Sequence, residues 1–213
     1  MTYTVKEIYY TLQGEGAQTG RAAVFLRFAG CNLWSGREKD RAAAVCNFCD
    51  TEFVGTDGPG GGKFASAKEL ASAVRQHWPA DADSTPYVVC TGGEPLLQLD
   101  EAAIQELHAA GFEIGVETNG TLIAPRGIDW LCVSPKAAAT VVQVRGDELK
   151  LVYPQVEADA QPQNFSTMEF THFFLQPLDN ENKEQNTRAV IDYCRAHPRW
   201  RLSLQTHKLI GIP

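Results

Sequence analysis

The sequence predicts an α/β fold built around a parallel sheet, and two patterns lead to that prediction. Short apolar runs rich in β-branched residues alternate along the chain with segments whose apolar residues recur at helical spacing. Such alternation is typical of parallel strands joined by right-handed crossovers. The 213 residues are 44% hydrophobic and 21% charged, which is enough apolar sequence for a normal core. We therefore expect a single domain over residues 1–213.

Seven short apolar runs are predicted to be strands. Turn residues or proline follow several of them directly, as expected where a strand ends. The runs are Val24–Phe28, Tyr87–Thr91, Glu113–Glu117, Trp130–Ser134, Glu148–Val152, His172–Leu175 and Arg201–Gln205. The glycine-rich segment Thr56–Lys63 is predicted to be a flexible loop.

Three segments are predicted to be helices. Ala67–Trp78 is preceded by Ser66, and Glu69 follows three residues later, which fits a capping box. Asp100–Ala110 has Gly111 at its C-cap position, and Lys183–His197 is stopped by Pro198.

Polar residues lie at the ends of five of the predicted strands. In a parallel sheet these positions share one edge, where ligands collect. Packing alone is a poor explanation for hydrogen-bonding groups at five strand ends, so we expect a ligand site there. The segments are Thr91-Gly92-Gly93-Glu94, Glu117-Thr118-Asn119, Ser134-Pro135-Lys136, Gln176-Pro177 and Thr206-His207-Lys208.

Three cysteines, Cys31, Cys46 and Cys49, lie in one loop with the spacing C-x14-C-x2-C. Three cysteines can hold an iron–sulfur cluster and leave one iron open to a small molecule. A structural zinc site would need a fourth ligand, for which His77 or Cys90 stands at an unusual spacing. A thioredoxin-like redox pair would leave Cys31 unused. The strand-end groups favour the cluster.

The other three cysteines are predicted to be small core residues. Cys90 and Cys132 lie in apolar strand runs, and Cys194 lies on a helix face. A variable insertion near residues 32–45, charged over Ser35–Val45, separates the first cluster cysteine from the other two.

Charge and hydropathy exclude several classes of partner. The net charge is −7 without a Lys/Arg run, which disfavours nucleic-acid binding. No apolar run approaches the length of a membrane span, and the first ten residues do not form a signal peptide. We therefore expect a cytoplasmic protein whose cysteines are thiols or metal ligands.

Two motifs resemble those of the radical S-adenosylmethionine (SAM) superfamily. Cys46-Asn47-Phe48-Cys49 is similar to the second half of its cysteine motif, with an aromatic residue before the last cysteine. Gly92-Gly93-Glu94-Pro95 after a strand resembles the motif that binds the SAM amino group. The first cysteine gap departs from the usual pattern, with fourteen residues in place of three.

Within that superfamily the chain resembles the 7-carboxy-7-deazaguanine synthase family over nearly its whole length. The resemblance lies in Tyr9–Cys31, Cys49-Asp50-Thr51, TGGEP, VETNG, VSPK and the final QTHKLIGIP, and a long cysteine gap is a known variant there. It implies a partial TIM-like barrel, a homodimer and a reductant such as a flavodoxin or ferredoxin. The implied activity is a carbon–nitrogen lyase reaction that converts 6-carboxy-5,6,7,8-tetrahydropterin to 7-carboxy-7-deazaguanine with loss of ammonia. The implied cofactors are a 4Fe–4S cluster, SAM and Mg²⁺.

The resemblance also implies which residues bind SAM. These are Phe48, Gly92, Gly93, Glu94, Glu117, Asn119, Ser134, Lys136 and Gln176, with Cys31, Cys46 and Cys49 holding the cluster. The two glycines would let the backbone approach SAM, and Glu94 would accept from its ammonium. The competing interpretations are a helix N-terminal acid for Glu94, solvated ion pairs for Glu117 and Lys136, and core packing for Phe48.

The implied substrate residues lie near both ends of the chain. They are Leu12, Gln13, Gly14, Glu15, Gly16, Arg27, Thr91, Gly93, His207 and Pro213, and the hydroxyl of Thr51 would bind Mg²⁺. Arg27 would clamp the substrate carboxylate. A buried ion pair for Arg27, a surface position for His207 and a turn role for Thr51 remain alternatives.

Two other functions remain open at this point. Another small radical SAM enzyme, such as a glycyl-radical activase, has a similar segment before the first cysteine, but the QGEG and QTHKLIGIP segments count against it. A non-catalytic zinc or iron–sulfur binding protein would have no use for the strand-end groups.

Overall fold

The computed structural model describes residues 2–213, which form one open sheet of nine strands with four α-helices in that range. The elements, in chain order, are β1 (Tyr3–Leu12), β2 (Ala22–Phe28), β3 (Gly62–Phe64), α1 (Ala67–His77), β4 (Tyr87–Gly92), α2 (Glu101–Ala109), β5 (Glu113–Thr118), β6 (Trp130–Val133), β7 (Arg145–Tyr153), β8 (Glu169–Pro177), α3 (Lys183–Ala196), β9 (Trp200–Leu202) and α4 (Thr206–Ile210).

The strand order is β3-β1-β2-β4-β5-β6-β7-β8-β9. β2 and β4–β9 run parallel to one another, whereas β1 pairs antiparallel with β2 and β3. β3 and β9 lie at opposite edges of the sheet, so the barrel does not close. β5, β6 and β7 follow one another without an intervening α-helix. The predicted α/β class and incomplete TIM-like barrel are confirmed.

The helices pack on the sheet through their apolar faces. Leu70 and Val74 of α1 and Ile104 and Leu107 of α2 are buried in the same core as strand residues such as Val88. Burying one such side chain stabilises the fold by roughly 1.5–3 kcal/mol. The two helices therefore cover the face of the sheet beside β1, β2, β4 and β5.

Side chains cap the starts of α1 and α2. The Ser66 hydroxyl accepts from the Glu69 amide at 3.2 Å, and Glu69 Oε2 accepts from the Ala65 amide at 2.8 Å. The Asp100 carboxylate accepts from the Ala103 amide at 2.9 Å, so Asp100 precedes α2 instead of beginning it.

The structure differs from the predicted elements at the two ends of the chain. β1 was not predicted, because Lys6 interrupts its apolar pattern; Lys6 is buried with its Nζ 2.9 Å from Glu52 and 2.8 Å from Asp57. β3 lies at the end of the segment expected to be a flexible loop, where it pairs with β1. The predicted strand Arg201–Gln205 is wrong in its bounds, since β9 covers Trp200–Leu202.

The loops that follow β2, β4, β5, β6, β8 and β9 leave the sheet at its carboxyl edge, because these strands are parallel. The strand-end segments singled out in the sequence therefore lie at one edge of the molecule.

Candidate active site

Two adjoining cavities lie at the carboxyl edge of the sheet. We call the one lined by the three cysteines the cysteine cavity and the one lined by Arg27 the arginine cavity. Residues that line both form a shared wall: Glu15, Asp50, Thr51, Thr91, Glu117 and Gln205. A group bound in one cavity would therefore lie next to a group bound in the other.

The cysteine cavity gathers most of the residues predicted to bind the cluster and SAM. It is lined by Cys31, Cys46, Cys49, Phe48, Gly92, Gly93, Glu117, Asn119, Ser134, Lys136 and Gln176. Of the SAM candidates, only Glu94 is absent from this lining.

The three cysteines are free thiols on the loop that follows β2. Hydrogen bonding between Cys46 and Cys49 lowers the pKa of Cys49 and raises that of Cys46. Burial raises the pKa of Cys31, and the Leu33 amide, which donates to Cys31 Sγ at 3.4 Å, opposes that rise. Among residues 2–213, no three His, Cys, Asp or Glu side chains converge as ligands of a single metal ion. A cubane does not require such convergence, since each thiolate binds a different iron.

Gly92 and Gly93 lie where the chain passes close to its own backbone, so a Cβ has no room at either position. A Cβ on Gly93 would collide with the Gly30 carbonyl and come within 2.7 Å of Cys31 Cβ, and a Cβ on Gly92 would collide with the Phe28 carbonyl. The Glu94 amide also donates to the Gly30 carbonyl at 2.9 Å. The glycines therefore allow the cysteine loop to lie against the end of β4.

Glu94 is absent from the lining of the cavity, and its expected role at the SAM ammonium stays a prediction. Its carboxylate is fully buried and accepts from the Leu96 amide at 2.9 Å, the Thr118 hydroxyl at 2.7 Å and the Asn119 amide at 2.8 Å. Burial raises the pKa of Glu94, and these donors oppose that rise. The carboxylate joins the ends of β4 and β5 and so positions Asn119.

Polar side chains complete the cysteine cavity opposite the thiols. Lys136 Nζ donates to both the carbonyl and the hydroxyl of Ser134 at 2.6 Å, which holds the ammonium at the end of β6. Asn119 Nδ2 donates to Asn32 Oδ1 at 2.9 Å and so links β5 to the cysteine loop. Phe48 is half-buried in the lining, so it is not a core residue.

The arginine cavity gathers the residues predicted to bind the substrate. It is lined by Leu12, Gln13, Gly14, Glu15, Arg27, Thr91, His207 and Pro213, together with Thr51. Of the substrate candidates, Gly93 lines the cysteine cavity instead, and Gly16 lines neither cavity. A Cβ on Gly16 would collide with the Glu148 carboxylate, so Gly16 serves the packing of its loop against β7.

The end of the chain packs against the loop that follows β1. The amide and the hydroxyl of Thr206 each donate to the Gly14 carbonyl at 2.9 Å, and Thr11 Oγ1 donates to the Pro213 carbonyl at 2.9 Å. A Cβ on Gly14 would collide with the His207 ring, so the missing side chain lets His207 enter the wall. His207 is half-buried, and burial lowers its pKa.

Arg27 is both an ion-pair partner and a cavity-lining residue. Its Nε donates to Glu7 at 2.7 Å, and its Nη2 donates to the Tyr9 hydroxyl at 3.0 Å. Burial opposes its charge, but Tyr9 and Glu7 raise the pKa of Arg27. Nη1 donates to no side chain or carbonyl within residues 2–213, although the residue lines the cavity.

Thr51 and Thr91 lie in the shared wall. The Thr51 carbonyl accepts a weak hydrogen bond from Cys49 Sγ at 3.9 Å, which joins the metal candidate to the cysteine loop. The neighbouring Asp50 pairs with Lys208 of α4 at 2.5 Å. The Thr51 hydroxyl makes no hydrogen bond to the residues that the structure describes.

Comparison with known proteins identifies the family. Residues 41–144 match the radical SAM superfamily. The chain is 64% identical over 216 residues to the 7-carboxy-7-deazaguanine synthase of Bordetella pertussis and 62% identical over 213 residues to that of Caulobacter vibrioides, with both chains of each pair covered in full. The chain belongs to the 7-carboxy-7-deazaguanine synthase family. Its fold is similar to that of QueE from Escherichia coli, with 27% identity, a TM-score of 0.70, and 96% of this chain and 94% of that chain covered.

Membership of this family brings two cofactors, a 4Fe–4S cluster and SAM. The residues present fit both. Three free thiols share one wall, and the indole Nε1 of Trp34 in the same wall is buried without an acceptor within residues 2–213. A buried N–H donor without an acceptor is unfavourable by about 1–3 kcal/mol, so this region suits an acceptor that is not part of the chain.

None of the helices in the described range is long and apolar enough to cross a membrane.

Lys150 lines the cysteine cavity but was not among the site residues predicted from the sequence. It lies on β7, is only 4% exposed, and places Nζ 2.7 Å from both Glu15 Oε2 and Glu117 Oε2. The signal was present in the run Glu148–Val152, where two charged residues alternate with leucines in a strand read as buried. Such alternation puts both charges on one face, which here is the face toward the cavities.

The insertion between the first two cysteines also contributes to the site. Arg41 stacks over the Trp34 ring at 4.2 Å, and its Nη1 donates to the carbonyls of Asn47 and Cys49 at 2.9 Å. The isolated aromatic residue in a charged insertion was the available sequence signal.

Proposed function

We propose that this protein converts 6-carboxy-5,6,7,8-tetrahydropterin to 7-carboxy-7-deazaguanine with loss of ammonia, as a radical SAM lyase. The observation that carries the proposal is the pair of cavities with a common wall, one lined by three cysteines and the other by Arg27. The 7-carboxy-7-deazaguanine synthases of Bordetella pertussis and Caulobacter vibrioides support the proposal through their full-length identity to the chain.

The cysteine cavity would hold the cluster and SAM. Cys31, Cys46 and Cys49 are the cluster ligands in this proposal, and the open iron suits the amino and carboxylate groups of SAM. Lys136 offers an ammonium for that carboxylate, and Glu117 offers acceptors for ribose hydroxyls. Bound together, the cluster and SAM supply one-electron cleavage of SAM and so a radical that abstracts hydrogen. Phe48 would cover the adenine, with Asn119 and Gln176 near the ribose.

The arginine cavity would hold the pterin. The Arg27 guanidinium suits the substrate carboxylate, because a charge-assisted hydrogen bond is about twice as strong as a neutral one. The Gln13 amide can donate and accept hydrogen bonds at the edge of the pterin ring, and the Glu15 carboxylate can accept them. Thr91 and His207 also line this cavity. These groups orient the ring toward the shared wall and exclude water from it.

Mg²⁺ belongs to the proposal with Thr51 as its protein ligand. The ion prefers oxygen ligands and usually shares its shell with ligand oxygens and water. The Thr51 hydroxyl is free of protein hydrogen bonds in the described residues, and Thr51 lines both cavities. A metal held there by Thr51 would supply positive charge beside the oxygens of the pterin.

The proposed assembly is a homodimer reduced by a one-electron protein such as a flavodoxin or ferredoxin. Leu209 and Ile210 on α4 are each 62% exposed and would leave apolar surface for a second copy to cover. Sedimentation equilibrium of the cluster-loaded protein should then give twice the 23.4 kDa chain mass.

The net charge of −7 disfavours nucleic acid as a partner.

Ligand binding tests the substrate assignment directly. Anaerobic titration of the cluster-loaded protein with 6-carboxy-5,6,7,8-tetrahydropterin should give an affinity at least about tenfold higher than with the same pterin lacking the carboxylate. Equal affinities would show that the arginine cavity does not recognise the carboxylate, and the proposed substrate would be wrong.

A further inference from the structure

A hydrogen-bonded bridge centred on the buried Lys150 connects the two cavities. Lys150 Nζ lies 2.7 Å from Glu15 Oε2, on the loop after β1, and 2.7 Å from Glu117 Oε2, at the end of β5. Both carboxylates belong to the shared wall. One ammonium thus fixes the position of an acid that faces the pterin and of an acid that faces SAM.

Amide side chains occupy the remaining carboxylate oxygens. Glu117 Oε1 accepts from Gln13 Nε2 at 3.1 Å, and Glu15 Oε1 accepts from Gln176 Nε2 and Gln205 Nε2 at 3.1 Å. The Glu15 amide donates in turn to Gln13 Oε1 at 3.1 Å. The substrate loop is therefore tied to the SAM side of the site through both Lys150 and Gln13.

The charges in this bridge depend on one another. Burial alone would raise the pKa of Glu15, but Lys150 lowers it below its ordinary value. Burial alone would lower the pKa of Lys150, but the surrounding acidic groups, of which Glu117 and Glu15 face it directly, raise it. Without the ammonium, two carboxylates that are only 19% and 21% exposed would share one wall without a counter-charge, which is unfavourable.

We propose that the Glu15–Lys150–Glu117 bridge couples the two cavities, so that SAM and the pterin each raise the affinity for the other. The inference rests on the proposed function, since it takes SAM and the pterin as the two occupants. A ribose hydroxyl that donates to Glu117 takes the place of the Gln13 amide, which becomes available to the pterin. Ordering of Glu117 by one ligand orders Glu15 through Lys150, and the second ligand then loses less entropy on binding.

Lys150 is thus a positioning residue. Its effect is measured as the ratio of the SAM affinity with bound pterin to the SAM affinity without it. Because coupling between sites is reciprocal, either ligand can be titrated. In the wild type we expect saturating pterin to tighten SAM binding by about fivefold or more, as is typical of coupled sites. In Lys150→Met, which keeps an unbranched stem without the charge, that ratio should fall to about one.

The test is calorimetric titration of cluster-loaded, anaerobic protein with SAM, in the presence and absence of saturating 6-carboxy-5,6,7,8-tetrahydropterin. Lys136→Met is the matched control. Its ammonium also lines the cysteine cavity but bonds only to Ser134 within the described chain, so this variant should bind SAM more weakly and keep the wild-type ratio. If Lys150→Met fails to fold, Glu15→Gln tests the same coupling. This change removes one charge of the bridge while preserving the shape of the side chain, so it should also lower the ratio of SAM affinities.

Two outcomes overturn the inference in distinguishable ways. A wild type that binds both ligands with a ratio of one, or a Lys150→Met protein that keeps the wild-type ratio, contradicts the coupling and leaves the proposed function intact. A wild type that binds SAM but no pterin contradicts the proposed function and the coupling together.

Discussion

Arg27 shows how the donors of one side chain divide between structure and ligand. Two of its nitrogens bind Glu7 and Tyr9, which fixes the plane of the guanidinium on β2. The sequence is compatible with a buried ion pair or a ligand clamp at Arg27, and the structure contains the ion pair at a position that lines the arginine cavity. Sequence alone does not separate the two, because the partners lie on a neighbouring strand.

Arg27→Ala should weaken binding of the carboxylated pterin and leave SAM binding unchanged. Loss of a charge-assisted hydrogen bond costs about 1.5–3 kcal/mol, or about tenfold or more in affinity. Arg21→Ala is the matched control, since Arg21 forms a similar half-buried ion pair with Glu113 but lines neither cavity. Calorimetric titration of each ligand into both variants measures the effect, and equal losses of both ligands in Arg27→Ala would indicate a folding role instead.

Gly93→Ala should lower the iron content of the protein. The added methyl group would meet the Gly30 carbonyl and Cys31 Cβ and so displace the first cluster ligand. Gly62→Ala is the control, because its Cβ would meet only Phe64 at an ordinary 3.9 Å. Iron analysis after anaerobic reconstitution decides, and a full complement of about four irons in Gly93→Ala would contradict the close packing of β4 against the cysteine loop.

Thr51→Ala should reduce the stimulation of turnover by Mg²⁺ and spare the iron content. Thr51→Ser should retain most of the stimulation, because the hydroxyl remains. The carbonyl that contacts Cys49 is backbone and is unaffected by either change. Turnover measured against Mg²⁺ concentration tests this, and an unchanged response in Thr51→Ala would place the metal elsewhere, with Asp50 the next residue to examine.

At the scale of elements, the insertion before Cys46 braces the cysteine pair. Arg41 joins three parts of the loop, since it stacks on Trp34 and donates to the carbonyls of Asn47 and Cys49. Arg41 Nε also donates to Glu38 Oε1 at 2.8 Å, which orients the guanidinium within the insertion. The long gap between the first two cysteines thus contains a residue, Arg41, that stabilises the cysteine loop. A gap of three residues is too short to include such a residue.

Arg41→Ala should make the cluster easier to remove without abolishing its assembly. Loss of two hydrogen bonds to backbone carbonyls frees the segment that carries Cys46 and Cys49. Arg37→Ala is the control, because Arg37 is exposed in the same insertion and its side chain makes no hydrogen bond within residues 2–213. The rate of iron release to a chelator, followed by absorbance, should rise several-fold in Arg41→Ala only; equal rates in the two variants would contradict the bracing role.

The elements that sequence predicted well are those with local signals. Ser66 and Asp100 mark helix starts by their capping chemistry, and the apolar runs of β4, β5 and β8 are buried as expected. β1 was missed because its buried Lys6 is neutralised by Glu52 and Asp57, which are far along the chain. Partners distant in sequence also explain why Lys150 was overlooked, since Glu15 and Glu117 lie far from it along the chain.

At the scale of the whole molecule, the open parallel sheet brings distant segments to one edge. The loop after β1, the cysteine loop after β2 and the end of the chain meet there, as the contacts of Gly14 with Thr206 and of Asp50 with Lys208 show. Sequence placed most site residues at strand ends correctly, because the edge follows from strand direction. Sequence did not foresee that Thr118 and Asn119 both donate to the Glu94 carboxylate, because these two donors lie far from Glu94 along the chain.

Product analysis after anaerobic turnover tests the central claim most directly. Cluster-loaded protein with SAM, a reductant, Mg²⁺ and 6-carboxy-5,6,7,8-tetrahydropterin should yield 7-carboxy-7-deazaguanine and ammonia, identified by mass spectrometry and an ammonia assay. Cys31→Ala, Cys46→Ala and Cys49→Ala should yield neither, whereas Cys90→Ala, Cys132→Ala and Cys194→Ala should retain activity, because none of those three lines either cavity. Cleavage of SAM by the wild type without formation of the deazapurine would contradict the account.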